Sequence, residues 1–133
     1  ELAQLITGNA GVNRLNGAAG ADTLQGAGGA DVFVFNSTLG GGNIDRITDF
    51  AAGTDRIELE NAIFAGLAAG PLAAVSFAAN LTGLATSAAH RIIYETDSGA
   101  LWFDADGTGA AARVQFATLN AALAVTSADF LVV

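Results

Sequence analysis

The large apolar residues near the start of the chain fall at a fixed spacing, Leu15, Leu24 and Phe33, with nothing larger than valine between them. A nine-residue interval fits neither a helical stripe nor strand alternation. Each large side chain therefore marks a short strand that buries it, and a turn separates it from the next. If nine residues make half a coil, the same side recurs every eighteen. Beyond the repeats, Ile44, Ile47 and Phe50 are expected to face inward, and Ile57 and Leu59 alternate with charge in the manner of a strand. Asn61 is placed to cap a short helix over Ala62 to Ala68, ended by Gly70-Pro71. Leu72 to Phe77 reads as a strand or strand edge and Asn80 to Ser87 as a loop. His90 to Glu95 and Ala100 to Phe103 form a hairpin about Thr96-Asp97-Ser98-Gly99, with a further strand over Arg113 to Leu119. Asp129-Phe130-Leu131-Val132-Val133 closes the chain as a strand that buries alternate side chains.

The polar residues between the apolar ones add chemistry. Gly8 to Val34 is one phrase written three times, with Gly at the first and fourth positions, Asn or Asp at the sixth and Leu or Phe at the eighth. The glycines permit a turn with restricted backbone angles that points carbonyl oxygens inward, and the sixth-position side chain joins them. An all-oxygen pocket with a carboxylate suits calcium, set between one turn and the turn two copies on. The candidate ligands are Gly8, Ala10, Gly11 and Asn13 in the first copy, Gly17, Ala19, Gly20 and Asp22 in the second, and Gly26, Gly28, Gly29 and Asp31 in the third. A Gly/Ala-rich flexible linker is the alternative, but a linker has no reason to repeat an inward apolar residue at fixed spacing.

These copies resemble the RTX nonapeptide family, G-G-x-G-x-D-x-U-x, whose repeats form a parallel β-roll with calcium between the turns. They depart from it where Asn9, Ala18 and Ala27 replace the second glycine and Asn13 replaces an aspartate, which weakens the first site. Asp45-Arg46-Ile47-Thr48-Asp49-Phe50 and Gly53-Thr54-Asp55-Arg56-Ile57 are similar to the segment that follows the repeats in the C-terminal domains of serralysin-like metalloproteases. The resemblance implies that Asp45, Asp49 and Asp55 join Asp22 and Asp31 as cation ligands. Read as residues alone, Asp49 and Asp55 serve equally as turn and cap groups paired with Arg46 and Arg56. The ending Asp129, Phe130, Leu131, Val132, Val133 resembles the uncleaved secretion signal of RTX proteins exported by type I (ABC) systems. The likeness is fullest over Gly8 to Leu59 and thins over Asn61 to Ala89.

Charge agrees with a cation ligand. Thirteen carboxylates against five arginines leave a net charge of −8, which repels nucleic acid and anionic membranes and links metal binding to folding. Cysteine is absent, so disulfides and thiolate sites are excluded. The uncharged stretch Asn61 to Ala89 is broken by Gly66, Gly70, Pro71, Ser76, Asn80 and Gly83, so no membrane span is expected. Glu1-Leu2-Ala3-Gln4 has neither a basic start nor an apolar run, so no N-terminal signal peptide is expected, and the chain reads as the tail of a longer polypeptide.

Two further motifs carry candidate chemistry. Asp104-Ala105-Asp106-Gly107-Thr108-Gly109 has the opening of an EF-hand loop, but Gln115 stands where its bidentate Glu belongs and strands flank it. It reads as a glycine-rich hairpin turn, with Asp104 and Asp106 as secondary cation candidates. His90, the sole histidine, has no nucleophile motif or second histidine near it, so no catalytic site is expected. The expected fold is all-β: a short parallel β-roll over residues 1–60, then a β-rich, sandwich-like cap over 61–133, with at most one or two short helices and in one continuous unit. The expected function is that of a non-catalytic, secreted, calcium-binding C-terminal domain. The rival reading is a carbohydrate or cell-surface module that uses an exposed Trp102 and Tyr94 as its platform.

Overall fold

A strand that buries one side chain cannot stand alone, and the chain answers this by winding. In the computed structural model, which describes residues 2–133, β1 (Leu5–Thr7), β2 (Arg14–Leu15), β3 (Thr23–Gln25), β4 (Val32–Phe35), β5 (Asp45–Ile47) and β6 (Arg56–Leu59) alternate between two sheets. Leu5 pairs with Thr23 and Arg14 with Val32, in parallel at an offset of 18 residues. The next coil is longer: Thr23 pairs with Arg46 and Val32 with Arg56. The extra residues form the Asn36–Asn43 loop, where Gly40, Gly41 and Gly42 all take positive φ.

The winding continues after a long excursion. β11 (Val114–Thr118) lies parallel to β5 with Ala117 opposite Asp45, and β12 (Phe130–Val132) lies parallel to β6 with Phe130 opposite Ile57. Between β6 and β11 the chain makes β7 (Gly70–Pro71), β8 (Phe77–Asn80), β9 (Ile92–Glu95) and β10 (Ala100–Phe103). The result is a seven-stranded sheet, β1-β3-β5-β11-β10-β9-β8, and a five-stranded sheet, β2-β4-β6-β12-β7. The all-β class and the hairpin read from the sequence are present. The helical pieces among the described residues are two 3-10 turns, Ala74–Ser76 and Ser127–Asp129. Among the described residues no helix is long and apolar enough to cross a membrane.

Two local expectations fail for identifiable reasons. Ala62 to Ala68 is not a helix: the Ile63 and Phe64 N–H groups both donate to Glu60 O, but Gly66 then turns left-handed at φ +90° and ends the turn. Leu72 to Phe77 is not a strand either. Leu72 is buried beside β12, its N–H donating to Phe130 O (3.3 Å), the 3-10 turn follows, and the strand begins at Phe77.

The core changes character along the molecule. In the roll it is one side chain deep, with Leu15, Leu24, Phe33, Ile47 and Ile57 stacked between the sheets. Ile44, expected to face inward, is only half-buried. Further on, rings fill the interior: Phe64 meets Phe103 and Phe116 edge-on at 5.3 and 5.0 Å, and Phe116 meets Phe35 at 5.2 Å. On the five-stranded sheet Glu58 is buried and paired with the largely exposed Arg14, whose hydrogen bond holds the Glu58 carboxyl below its ordinary range.

Candidate metal centre

The first glycine of each repeat is there to make room. None of Gly8, Gly17 and Gly26 has positive φ. Instead the sixth-position side chain of the same repeat folds back over it: Asn13 over Gly8, Asp22 over Gly17, Asp31 over Gly26. A methyl group on Gly17 would lie 2.6 Å from Asp22 Oδ2 and 2.8 Å from Asp45 Oδ2. The left-handed position is the second residue, Ala18 at φ +65° and Ala27 at +72°, with the fourth, Gly20 and Gly29, also positive. The expectation that first-position glycines serve for their backbone angles is corrected accordingly.

The same acidic side chains tie successive coils together along two rails. On one, the Gln4 N–H donates to Asp22 Oδ1 (2.8 Å) and the Asp22 N–H to Asp45 Oδ1 (3.0 Å). On the other, the Asn13 N–H donates to Asp31 Oδ1 (2.8 Å) and the Asp31 N–H to Asp55 Oδ1 (2.9 Å). Both rails stop at the next coil, where Ala117 stands opposite Asp45 and the register sets Ala128 opposite Asp55.

The rails differ in the oxygens left over. Asp22 and Asp45 are 1% and 4% exposed, and Asp22 Oδ2 is fully buried with no hydrogen-bond partner. Burial pushes the Asp45 carboxyl up to about 6; the Asp22 N–H bond pulls it down and the Asp22 charge pushes it further up. Such a buried, like-charged pair around a glycine-sized opening is costly without a cation. On the second rail Asp55 also accepts the Ala51 N–H through Oδ2 (2.8 Å). Beyond Gly26, over which Asp31 folds, a Cβ on Gly29 would meet Gly11 O at 2.6 Å and Ala10 O at 3.1 Å, so the first and third turns stack directly.

The remaining candidates divide. Asp49 accepts the Gly26 and Ala27 N–H groups on its two oxygens (2.9 and 2.7 Å), clasping the third turn from outside. In the first turn Asn13 Oδ1 accepts the Asn9 N–H (2.8 Å), and Ala19 lies in the second turn beside the Asn36–Asn43 loop. Asp104 and Asp106 lie apart in the β10–β11 loop. Among the described residues no three His, Cys, Asp or Glu side chains converge, so a cation between the coils would take two carboxylates and complete its shell with main-chain oxygen or water.

The sequence reading missed Asn43, which accepts the Gly20 N–H (3.0 Å) and donates to Thr38 O (2.8 Å). Its signal is the coil offset that relates Asp22 to Asp45, the same 23 residues that separate Gly20 from Asn43. The sequence places Asp129 at the head of a terminal strand and secretion signal. It is also a buried clasp, accepting the Gly53 and Thr126 N–H groups (2.8 and 2.9 Å), while Phe130 and Val132 point inward in β12. The aromatic platform is corrected too. Tyr94 is fully buried, its hydroxyl donating to Asn120 O (2.5 Å) and accepting from the Leu123 N–H (3.1 Å). Trp102 is half-buried beneath the Arg113 guanidinium, 3.8 Å from its ring centre. His90 Nδ1 accepts the Thr86 N–H (3.2 Å).

No curated protein matches the chain. The family model described as the peptidase M10 serralysin C terminal matches residues 5–132, from the first strand of the roll through the last strand of the closing coil, and the chain belongs to that family.

Proposed function

We propose that this chain is a calcium-dependent folding and export module, the non-catalytic C-terminal part of a secreted protein. C-terminal domains of serralysins are non-catalytic, generally bind calcium and belong to secreted proteins. The observation that carries the reading is the buried Asp22 Oδ2, without a partner, beside Asp45 Oδ2 at the opening over Gly17. The donor set is all oxygen and carries two charges, as a hard cation requires. Asp22 and Asp45 hold calcium on one rail; Asp31, the weaker Asn13 and the stacked Gly8–Gly11 and Gly26–Gly29 turns hold it on the other. Asp49 and Asp55 keep those turns closed.

At low cytosolic calcium the acidic rails repel and the chain stays threadable. At extracellular calcium, with affinities of about 10⁻⁴–10⁻³ M, the cation binds the folded state alone and shifts the equilibrium to it. The residues Asp129 to Val133 are read by a type I exporter before β12 takes its place between β6 and β7.

The test is a calcium titration followed by circular dichroism, with Asp22→Ala and Asp31→Ala beside the parent. A calcium-dependent gain of strand signal that both substitutions weaken supports the reading. A chain equally folded in chelator removes it. Deleting Asp129 to Val133 should abolish export by a type I system while the repeats still respond to calcium.

A further inference from the structure

The carboxylates of the first rail are shut away from water. Asp22 and Asp45 are both almost fully buried, and Asp22 Oδ2 has no hydrogen-bond partner. Beside Asp45 lies a cavity of about 10 Å³, enough for one water. On the solvent side an open groove of about 770 Å³ runs past Gly20, Ala21 and the Asn36–Asn43 loop. Ser37, Leu39 and Asn43 line both the cavity and the groove, so this loop is the wall between the Asp45 carboxylate and solvent.

That wall is an insertion held shut by side chains. Its coil pairs Thr23 with Arg46, 23 residues on, where the coil before it pairs Leu5 with Thr23, 18 residues on. The surplus includes Gly40, Gly41 and Gly42, at φ +86°, +64° and +83°, and a Cβ on any of them would meet nothing within 4 Å. These glycines serve backbone freedom and no packing. On either side of them the loop is clasped to the turn of the second repeat. The Ser37 hydroxyl donates to Ala18 O (2.5 Å), Asn43 Oδ1 accepts the Gly20 N–H (3.0 Å), and Asn43 Nδ2 donates to Ser37 Oγ (2.9 Å), which joins the two clasps. Leu39 packs against the core between them.

We propose that the Asn36–Asn43 loop is the gate of the Asp22–Asp45 site, an inference that rests on the reading of these two carboxylates as calcium ligands. The ion passes when the loop lifts about its glycines, with the roll still coiled. Ser37 and Asn43 are positioning residues: they touch no ion but set how long the gate stays shut. Lifting the loop breaks their bonds to the second-repeat turn and withdraws Leu39. Uncoiling β5 from β3 would in addition give up the parallel ladder and the Asp22 N–H bond to Asp45, so the loop is the route of lower cost.

The test follows calcium as it leaves. The full chain, folded in calcium, is mixed rapidly with an excess of a fluorescent calcium chelator, and dye fluorescence and far-ultraviolet circular dichroism are recorded after the same mixing. The release phase that Asp22→Asn and Asp45→Asn remove belongs to this site. In the parent it should run ahead of the loss of strand signal. Ser37→Ala and Asn43→Ala should each speed it roughly 2–10-fold, the effect of one hydrogen bond, and speed strand loss less; a merely structural role would move the two rates together. Ser98→Ala, which deletes a hydroxyl bonded to Glu95 in the hairpin turn, should leave the phase unchanged. If Asn43→Ala is not folded in calcium, Ser37→Ala decides. Release that keeps step with strand loss in the parent, or a phase indifferent to both loop substitutions, overturns the gate and leaves calcium binding by the roll intact. A chain that yields no calcium to the dye overturns calcium binding and the gate with it.

Discussion

Adjacent residues in the third repeat should respond to substitution with opposite sign. Ala27 is exposed, left-handed at φ +72°, and its N–H donates to Asp49 Oδ2. An L-residue in that region costs about 1–2 kcal/mol. Glycine removes the cost, keeps the N–H and forfeits no packing, but it loosens the unfolded chain by about 0.4–1 kcal/mol. Ala27→Gly should therefore stabilise by about 0.5–1 kcal/mol, which for a chain of this size raises Tm by about 2–5 °C. Ala18→Gly, at φ +65°, should do the same, and the two should add. Gly26→Ala should go the other way. Its Cβ would coincide with the Asp31 carboxylate, which must swing out and release the Asn13 N–H. Overpacking and the lost hydrogen bond together cost about 2–5 kcal/mol. The assay is thermal and urea unfolding at saturating calcium. An Ala27→Gly variant no more stable than the parent, or a Gly26→Ala variant as stable as it, would refute the division of labour between space at position 26 and backbone angle at position 27.

The Asp45 carboxyl, raised to about 6 by burial, makes calcium compete with a proton. Calcium affinity should rise about tenfold per pH unit below about 6 and level off above it, and Asp45→Asn should flatten that slope in calorimetric titrations. Because the folded pKa lies above the unfolded one, the contribution of this carboxyl to the stability of the calcium-free chain is fully present below about pH 4. That contribution, about 3 kcal/mol, should be lost as pH rises through 6, read as the difference between the parent and Asp45→Asn in urea midpoint in chelator. Tyr94→Phe leaves Asn120 O and the Leu123 N–H without their partner and should cost about 1–3 kcal/mol in denaturant unfolding. Leu24→Ala, in the one-layer core where neighbours cannot refill the space, should cost about 2–5 kcal/mol by the same measure.

The parts of this fold legible in the sequence were those governed by period. Leu15, Leu24 and Phe33 fixed which face turns inward, and the 18-residue coil follows from them. Thr96 to Gly99 announced the hairpin by turn chemistry alone. What stayed hidden depends on register across distance: nothing local in Val114–Thr118 says that it will lie parallel to β5, since the pairing of Ala117 with Asp45 spans the whole excursion between them. Asn61 to Ala68 misled because a cap and an alanine-rich run signal a helix, while one left-handed Gly66 decides otherwise. At the candidate site, residue type gave the oxygens but could not tell Asp22, with one oxygen unmatched, from Asp49, with both engaged by backbone N–H groups.

The two kinds of pairing also set an order for folding. Coils of the roll close over short offsets, so their chain-entropy cost is small and what opposes them is charge, concentrated where Asp22 and Asp45 meet over Gly17. The last coil has the reverse balance: Phe130 must find Ile57 across the full excursion, but β12 is apolar and little repelled. Each supports the other. β6 is held in register by Asp55 on the Asp31 N–H, and the turn before β6 is held by Asp129 on the Gly53 N–H. A cation that settles the rails therefore also completes the surface on which the terminal strand docks. On the proposed function, an exporter can grip Asp129 to Val133 for as long as calcium is scarce, and loses that grip where calcium is plentiful because the strand has become the interior of a sheet.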